Sequence, residues 1–360
     1  MNGKRLMQVF TCLTVSVAIT LAFSPGVTAE DTVGETVEHE AGFYYTVQRG
    51  DTLWDLSDKF FDSPWYWPEL WQENEQIPNP HWIYPGERIR LFQKQGQDTF
   101  TFNIPEPETT VQDSAVEMAS ETPPVPEEKT VYYSYPPMDA VGFIRKEPVN
   151  PLGFIFKVKD DNVLIHEGNT VYMRYADKNA GAIMQGGKYT IYRRLKPTND
   201  RKRNQQLGGQ YYIVGIVEVT QLEADFFIAK VFKSFRALAI DDFILPYQQR
   251  PLEIPIKKGV PNLDGKIIVA EEHLELIGDM SVAFIDKGKV DSVEEGQIYT
   301  IYYQEKDKVK MQGKDSVILT PVDYGQLIVL HTEQETSTVL ITQTDRSAYP
   351  DALIHTPPDE

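Results

Sequence analysis

The spacing of hydrophobic residues predicts a strand, two helices and a second strand between residues 43 and 92. Leu53, Leu56 and Phe60 recur at the spacing of one helix face. The positions i, i+3, i+4 and i+7 of a second helix are occupied by Trp67, Leu70, Trp71 and Asn74. Residues 45–47 and 89–91 supply the flanking strands.

Local signals mark where these helices begin. Gly50 suits the positive φ of a tight strand-to-helix turn, and Asp51 or Thr52 can cap the first helix. Thr52 and Asp55 have the spacing of a capping box. Pro64 fits the first position of the second helix, whereas Pro68 predicts a distorted first turn.

From residue 138 the pattern changes to short runs of β-branched and aromatic residues separated by Gly, Asp and Asn, which is typical of strands. Several runs return in the same order after about 110 residues, for example 187–192 and 296–302. We therefore expect an α+β fold, in which the two-helix module is followed by two related all-β domains, sandwich-like or barrel-like, over 138–250 and 251–355. The alternative is one larger sheet domain whose internal similarity is accidental.

The remaining segments have the composition of leaders and linkers. Residues 1–29 combine a basic start, an apolar run and small residues before Glu30, as a signal peptide does. An uncleaved membrane anchor is the alternative. Residues 30–42 form an acidic lead-in. Residues 93–137 are rich in Pro, Glu and Thr, which predicts a disordered flexible linker because such a segment buries little apolar surface.

Composition narrows the possible partners. The formal net charge is −18 at pH 7, which disfavours nucleic acid and anionic lipid. The single cysteine, Cys12, lies in the signal segment, so the secreted chain would lack disulfides and thiol chemistry. No histidine pair has metal-ligand spacing, and serine-nucleophile and phosphate-loop motifs are absent from the sequence.

Taken together, residues 43–92 resemble a LysM module, a small domain that binds N-acetylglucosamine-containing polymers such as peptidoglycan. The resemblance lies in Tyr-Thr-Val-x-x-Gly-Asp-Thr-Leu from Tyr45, in Asn74, and in Ile-x-Pro-Gly-x-x-Ile-x-Leu ending at Leu91. All five tryptophans lie within this block, and its aromatic centre is similar to LysM proteins of Gram-negative envelopes.

The resemblance implies a shallow glycan groove between the loop before the first helix and the loop after the second. One wall would comprise Gly50, Asp51, Thr52 and Leu53, and the other Ile77, Pro78 and Asn79, while Trp54 or Trp82 would stack on a pyranose.

Each of these residues also has a purely structural interpretation. Asp51 and Thr52 can cap a helix without touching sugar, and Trp67 and Trp71 can fill the small core. Trp65 and Trp82 are the better candidates for exposed aromatic residues.

The acidic pairs Glu271-Glu272 and Glu294-Glu295 are interpreted as solvated turn residues rather than a glycosidase pair. The sequence therefore predicts a non-catalytic peptidoglycan-binding protein of the periplasm or cell envelope, without cofactor or metal. Its C-terminal repeats would contact an envelope protein. A structural component that uses the LysM block for protein packing is the alternative, and a wall hydrolase is a remote third.

Overall fold

A computed structural model describes residues 41–61, 63–91, 131–159, 164–177, 183–199, 206–308 and 316–357. The predicted signal peptide, most of the acidic lead-in and residues 93–130 of the predicted linker lie outside these ranges. Within the ranges described, no helix has both the length and the apolar character needed to cross a bilayer.

The N-terminal module, residues 42–91, has the predicted order of strand, helix, helix and strand. It consists of β1 (Gly42–Thr46), α1 (Leu53–Phe61), a 3-10 turn (Pro64–Tyr66), α2 (Trp67–Gln72) and β2 (Arg88–Leu91). β1 and β2 pair antiparallel, from Phe43 opposite Leu91 to Thr46 opposite Arg88. This confirms the compact two-helix, two-strand unit expected from the sequence.

Both helices pack on the sheet through the predicted apolar positions. Leu53, Leu56 and Phe60 of α1 and Leu70 of α2 are buried in one cluster with the strands. Pro68 stands near the start of α2, and a 3-10 turn precedes it instead of a regular first helical turn. The helices are therefore held by tertiary burial, because each is too short to be stable alone.

Two strands from outside the module extend its sheet. β3 (Val131–Ser134) pairs with β1, and β11 (Glu253–Pro255) pairs with β3, which gives the order β11-β3-β1-β2. The prediction that the linker runs flexibly to Pro137 is wrong for its last seven residues, which form β3 and the start of a 3-10 turn over Pro136–Ala140. Backbone pairing with β1 satisfies donors and acceptors that a coil would leave to water.

The first β unit, residues 143–246, contains seven strands. They are β4 (Phe143–Arg145), β5 (Gly153–Val158), β6 (Thr170–Tyr175), β7 (Lys188–Asn199), β8 (Gln206–Leu222), β9 (Phe226–Ser234) and β10 (Phe243–Pro246). Their order is β4-β8-β7-β10-β5-β6-β9, and β8 also pairs with β9. Six of the strands therefore form a continuous ring, which β4 extends along β8.

The second β unit, residues 264–355, is a closed six-stranded barrel. Its strands are β12 (Asp264–Ala270), β13 (Val282–Ile285), β14 (Ile298–Tyr303), β17 (Val322–Thr332), β18 (Ser337–Thr344) and β19 (Leu353–His355). A separate hairpin is formed by β15 (Lys306–Lys308) and β16 (Ser316–Ile318). The fold is thus the LysM-like module followed by mostly β-sheet units, with little helix.

The two rings pair their strands in the same order. Reading from β5, the first follows β5-β6-β9-β8-β7-β10, and reading from β12, the second follows β12-β13-β18-β17-β14-β19. Equivalent turns also match. Asp241 and Asp351 have φ values of 71° and 73° and donate their amides to the carbonyls of Ile155 and Ile267 at 2.8 Å.

The outer faces of the rings differ in polarity. Across the second ring, paired positions carry Ile298, Ile328 and Leu340, and these side chains are buried in the same cluster as the N-terminal module. The equivalent paired positions of the first ring carry Lys188, Glu218 and Lys230. Only the second ring therefore offers an apolar outer surface at these positions, and the N-terminal sheet covers it.

A buried ion pair joins the two β units. Arg236 Nη2 lies 2.7 Å from Glu271 Oε2, and the other carboxylate oxygen accepts the Gly142 amide at 2.8 Å. Burial raises the pKa of Glu271, and Arg236 opposes this rise. The prediction that Glu271 is a solvated turn residue is wrong, because its side chain is only 5% exposed.

A second charged contact links β4 to the barrel. Arg145 donates from Nε and Nη2 to both oxygens of Glu333 at 2.9 and 2.7 Å, and His331 Nε2 lies 3.1 Å from the same carboxylate. Burial would raise the pKa of Glu333, but the hydrogen bonds and charges of His331 and Arg145 outweigh it and lower the pKa to about 2. The bidentate geometry fixes how β4 lies on the barrel.

We expect Glu333→Gln to lower the free energy of unfolding at pH 7 by about 2 kcal/mol, discounted because Arg145 is partly exposed. A carboxyl whose pKa is depressed in the folded state stabilises the protein above its unfolded pKa. That contribution disappears as the pH falls from about 4.5 towards 2. Urea unfolding at several pH values measures it.

Glu335→Gln is the matched control, since Glu335 pairs with Lys146 at 2.9 Å on an exposed surface. It should change stability by less than about 1 kcal/mol at any pH. Equal losses in the two variants, or a Glu333→Gln loss that persists unchanged at pH 2, would contradict this account of the contact.

Candidate functional site

The loop before α1 is organised by Asp51. Its Oδ2 accepts hydrogen bonds from the Tyr45 hydroxyl at 2.7 Å and from the Gln48 amide at 2.8 Å. Burial, followed by the nearby Asp51, raises the pKa of Tyr45. Gly50 makes the turn possible with φ of 99°, a conformation that side chains other than glycine rarely adopt. Asp51 therefore closes the loop onto β1 and does not cap the helix.

Thr52 is the residue that caps α1. Its Oγ1 accepts the Asp55 amide at 3.1 Å and donates to Asp55 Oδ2 at 2.6 Å. This is a variant of the predicted capping box in which the carboxylate returns to the hydroxyl instead of the backbone. One of the free amides in the first turn of α1 therefore has a hydrogen-bond acceptor in the loop 50–52.

The loop after α2 is held by hydrogen bonds to its backbone. Trp71 Nε1 donates to the Ile77 carbonyl at 2.8 Å, and Asn79 accepts the His81 amide on Oδ1 at 3.0 Å. The Trp82 amide donates to the Asn79 carbonyl at 3.0 Å. Asn79 therefore has a turn-forming role of its own, beside any contact with a ligand.

The nine predicted site residues divide by exposure. Gly50, Thr52, Trp54, Pro78 and Trp82 are exposed, whereas Asp51 and Asn79 are half-buried. Leu53 and Ile77 have buried side chains in the same hydrophobic cluster, so they anchor the two loops to one core. We correct the prediction for these two: their side chains cannot line an open groove, and only their backbone groups remain available.

Exposed aromatic side chains stand near both loops. Trp82 is 66% exposed, and Tyr84, which sequence reasoning missed, lies two residues further on with 60% exposure. Trp54 packs edge-to-face against Trp65 with ring centroids 4.7 Å apart. Trp65 is 74% exposed, as predicted. These indoles offer faces for CH contacts with a sugar ring.

Asn74 has a structural role behind the site. Its amide nitrogen donates to the carbonyls of Leu70 and Arg90, and its oxygen accepts the Arg90 amide at 2.7 Å. The fully buried side chain thus acts as a strand partner for the outer edge of β2. This explains why the LysM-like pattern has an asparagine there.

Comparison with known proteins identifies this module. Residues 45–92 match the family model described as LysM domain. The chain is also similar to the uncharacterized protein YqbP of Bacillus subtilis (strain 168), with 39% identity over 57 residues. That alignment covers 13% of this chain and spans only 26% of the length of YqbP. LysM domains bind glycans such as peptidoglycan or chitin, and they are binding rather than catalytic domains.

Asp51→Ala should lower the free energy of unfolding by about 1–3 kcal/mol, because the Tyr45 hydroxyl and the Gln48 amide lose a charged acceptor. Thermal unfolding of the purified chain measures this change. Asp58→Ala is the matched control, since it removes an exposed carboxylate from α1, the helix that follows this loop.

An unchanged melting temperature for Asp51→Ala would show that the loop does not depend on this carboxylate. If the melting temperature falls, loss of glycan binding in this variant cannot be assigned to contact with sugar. Binding is therefore tested better at the exposed residues.

Proposed function

Because residues 45–92 are a LysM domain, we propose that this protein binds N-acetylglucosamine-containing glycan, peptidoglycan in particular, without catalysing a reaction. The glycan would lie between the loop 50–54 and the loop 77–82. The observation that carries the proposal is that both loops end on one core, through Leu53 and Ile77, while Trp54 and Trp82 remain exposed beside them.

The chemistry of the two loops suits a neutral sugar. The backbone N–H groups of Gly50 and Asn79 and the carbonyl of Pro78 can meet the N-acetyl amide, and the indole of Trp82 can stack on a pyranose face. The net charge of −18 gives no attraction to acidic wall polymers. Binding should therefore depend on shape, hydrogen bonds and stacking, and salt should change it little.

We place the protein in the cell envelope, in the periplasm of a Gram-negative bacterium, after export by residues 1–29. The signal-like composition of that segment and the aromatic centre of the LysM block support this location. Retention of the segment as an inner-membrane anchor is the alternative.

We further propose that the two β units arose by duplication and form a surface for an envelope protein. Their common ring order and matching turns support a shared origin. A purely structural role for the LysM block is the second candidate function. The sharing of its core with Val131, Ile254 and Ile328 favours that role, since the block packs on the rest of the chain.

Trp82→Ala should weaken binding of a chitooligosaccharide by about three- to tenfold, because one stacking face is lost. Isothermal titration with the full chain measures the affinity, and sedimentation with insoluble peptidoglycan tests the natural polymer. Tyr349→Ala is the matched control: it removes an exposed aromatic side chain of the second β unit, which belongs to neither loop.

Wild-type protein that neither titrates nor sediments would remove the glycan proposal and favour protein packing by the LysM block. Equal loss in Tyr349→Ala and Trp82→Ala would move the site away from the two loops. Release of dye from labelled sacculi would point to a hydrolase.

A further inference from the structure

Three strands of the first β unit carry an uncovered surface that the glycan site does not use. We call it the basic aromatic face and define it by Phe156 of β5, Tyr172 and Arg174 of β6, and Phe226 and Lys230 of β9. β6 lies between the other two strands in the sheet. On β6 and β9 the side chains of Tyr172, Arg174, Phe226 and Lys230 share the outer face, because the residues that alternate with them are buried inside the ring. Phe156 lies at a register shift of β5 and contacts the rings of Tyr172 and Phe226 on that face.

The aromatic rings of this face touch each other but do not form a flat platform. The centroids of Phe156, Tyr172 and Phe226 are 6.1 to 6.4 Å apart, with interplanar angles of 49° to 80°. Sugars and bases stack best on open, parallel ring faces. The tilted rings instead form an uneven apolar surface that fits side chains.

The charge of the face is opposite to that of the protein. Every charged residue on β5, β6 and β9 is basic and exposed, and these residues are Lys157, Arg174, Lys230 and Lys233. Glu218 of β8 lies opposite Lys230, and the exposed Asp177 and Asp225 lie beside the ends of β6 and β9, so acidic residues balance part of this charge. In a chain with net charge −18, this arrangement favours an acidic ligand.

The equivalent face of the second β unit shows what such a surface can hold. The cross-strand pair Tyr172 and Ile228 has its counterpart in Phe284 and Thr338. There, the Thr338 hydroxyl donates to the Gly142 carbonyl at 2.8 Å. The Thr336 hydroxyl donates to the Ile144 carbonyl at 2.7 Å, so an extended segment of polypeptide crosses the strand.

The outer faces of the equivalent strands also differ in how many of their residues are buried. The last three residues of β13 and the first five of β18 are buried on both faces, whereas burial alternates along β6 and along β9 as far as Val231. The same ring therefore carries a polypeptide cover in one unit and an open face in the other.

We propose that the basic aromatic face binds an extended, acidic segment of a partner protein, with apolar side chains at alternate positions. The apolar side chains would pack among Phe156, Tyr172 and Phe226, and the carboxylates would meet Arg174 and Lys230. A second copy of this chain packing face to face would bring like charges together, which disfavours that occupant. This inference rests on the proposed role of the β units as an interaction surface.

The test uses fluorescence anisotropy of the full chain with a synthetic decapeptide that alternates glutamate with valine. We expect saturable binding that weakens with salt, and about tenfold weaker binding for Arg174→Glu, because attraction becomes repulsion. Lys289→Glu, an exposed substitution in the second unit, should bind as wild type does. Phe156→Ser should weaken binding without altering the salt dependence.

Three kinds of result would overturn the proposal. The first concerns the peptides: no binding up to about 1 mM, or equal binding of a lysine–valine peptide. The second is binding of phosphatidylglycerol vesicles, lost in Arg174→Glu, without peptide binding. The third is self-association of the chain that Arg174→Glu abolishes, measured by sedimentation velocity.

If Arg174→Glu still binds peptidoglycan but no longer binds the peptide, the peptide site is distinct from the glycan site. Loss of glycan binding in Trp82→Ala with normal peptide binding would separate them in the other direction.

Discussion

The structure depends on the burial of one apolar surface on the outside of the second β unit. Ile328 and Leu340 point outward from the barrel, whose interior is filled by a separate cluster that includes Leu327 and Val339. Exposed to water, this outer surface would be costly, and the segment from Val131 onward covers it. The same segment also pairs with β1, so one strand both covers the barrel and extends the LysM sheet.

This constraint also fixes the orientation of the proposed glycan site. In a module on a flexible tether, the loops 50–54 and 77–82 would sample many orientations. Here β1 is an internal strand between β2 and β3, and the loop that follows it is held by Asp51. The backbone that carries the loop 50–54 is therefore held in a fixed orientation relative to the β units. A bound glycan strand and a protein on the first β unit would be held in a defined geometry.

The two β units share one strand order but differ in their outer surfaces. Interior positions keep the same apolar character, since both rings must fill their centres. The outer positions are free to differ: Ile328 and Leu340 receive the N-terminal sheet, whereas Glu218 and Lys230 face solvent. A ring whose outside is not needed for folding can acquire a surface for another molecule.

Helix starts, caps and turns could be predicted from the sequence, because they depend on neighbours within a few residues. Helical spacing from Leu53, the cap at Thr52 and the turn at Gly50 all follow from such short-range rules, as does the LysM pattern. The predictions of a flexible linker at Val131 and of a solvated turn at Glu271 were wrong, because the partners of both residues come from distant parts of the chain.

Only the tertiary structure decided which residues face solvent at the site and which segments cover the barrel. The hydroxyl of Thr338 reaches a carbonyl 196 residues away. Such contacts depend on which apolar and charged surfaces come together when the whole chain folds, and the local sequence pattern does not predict them.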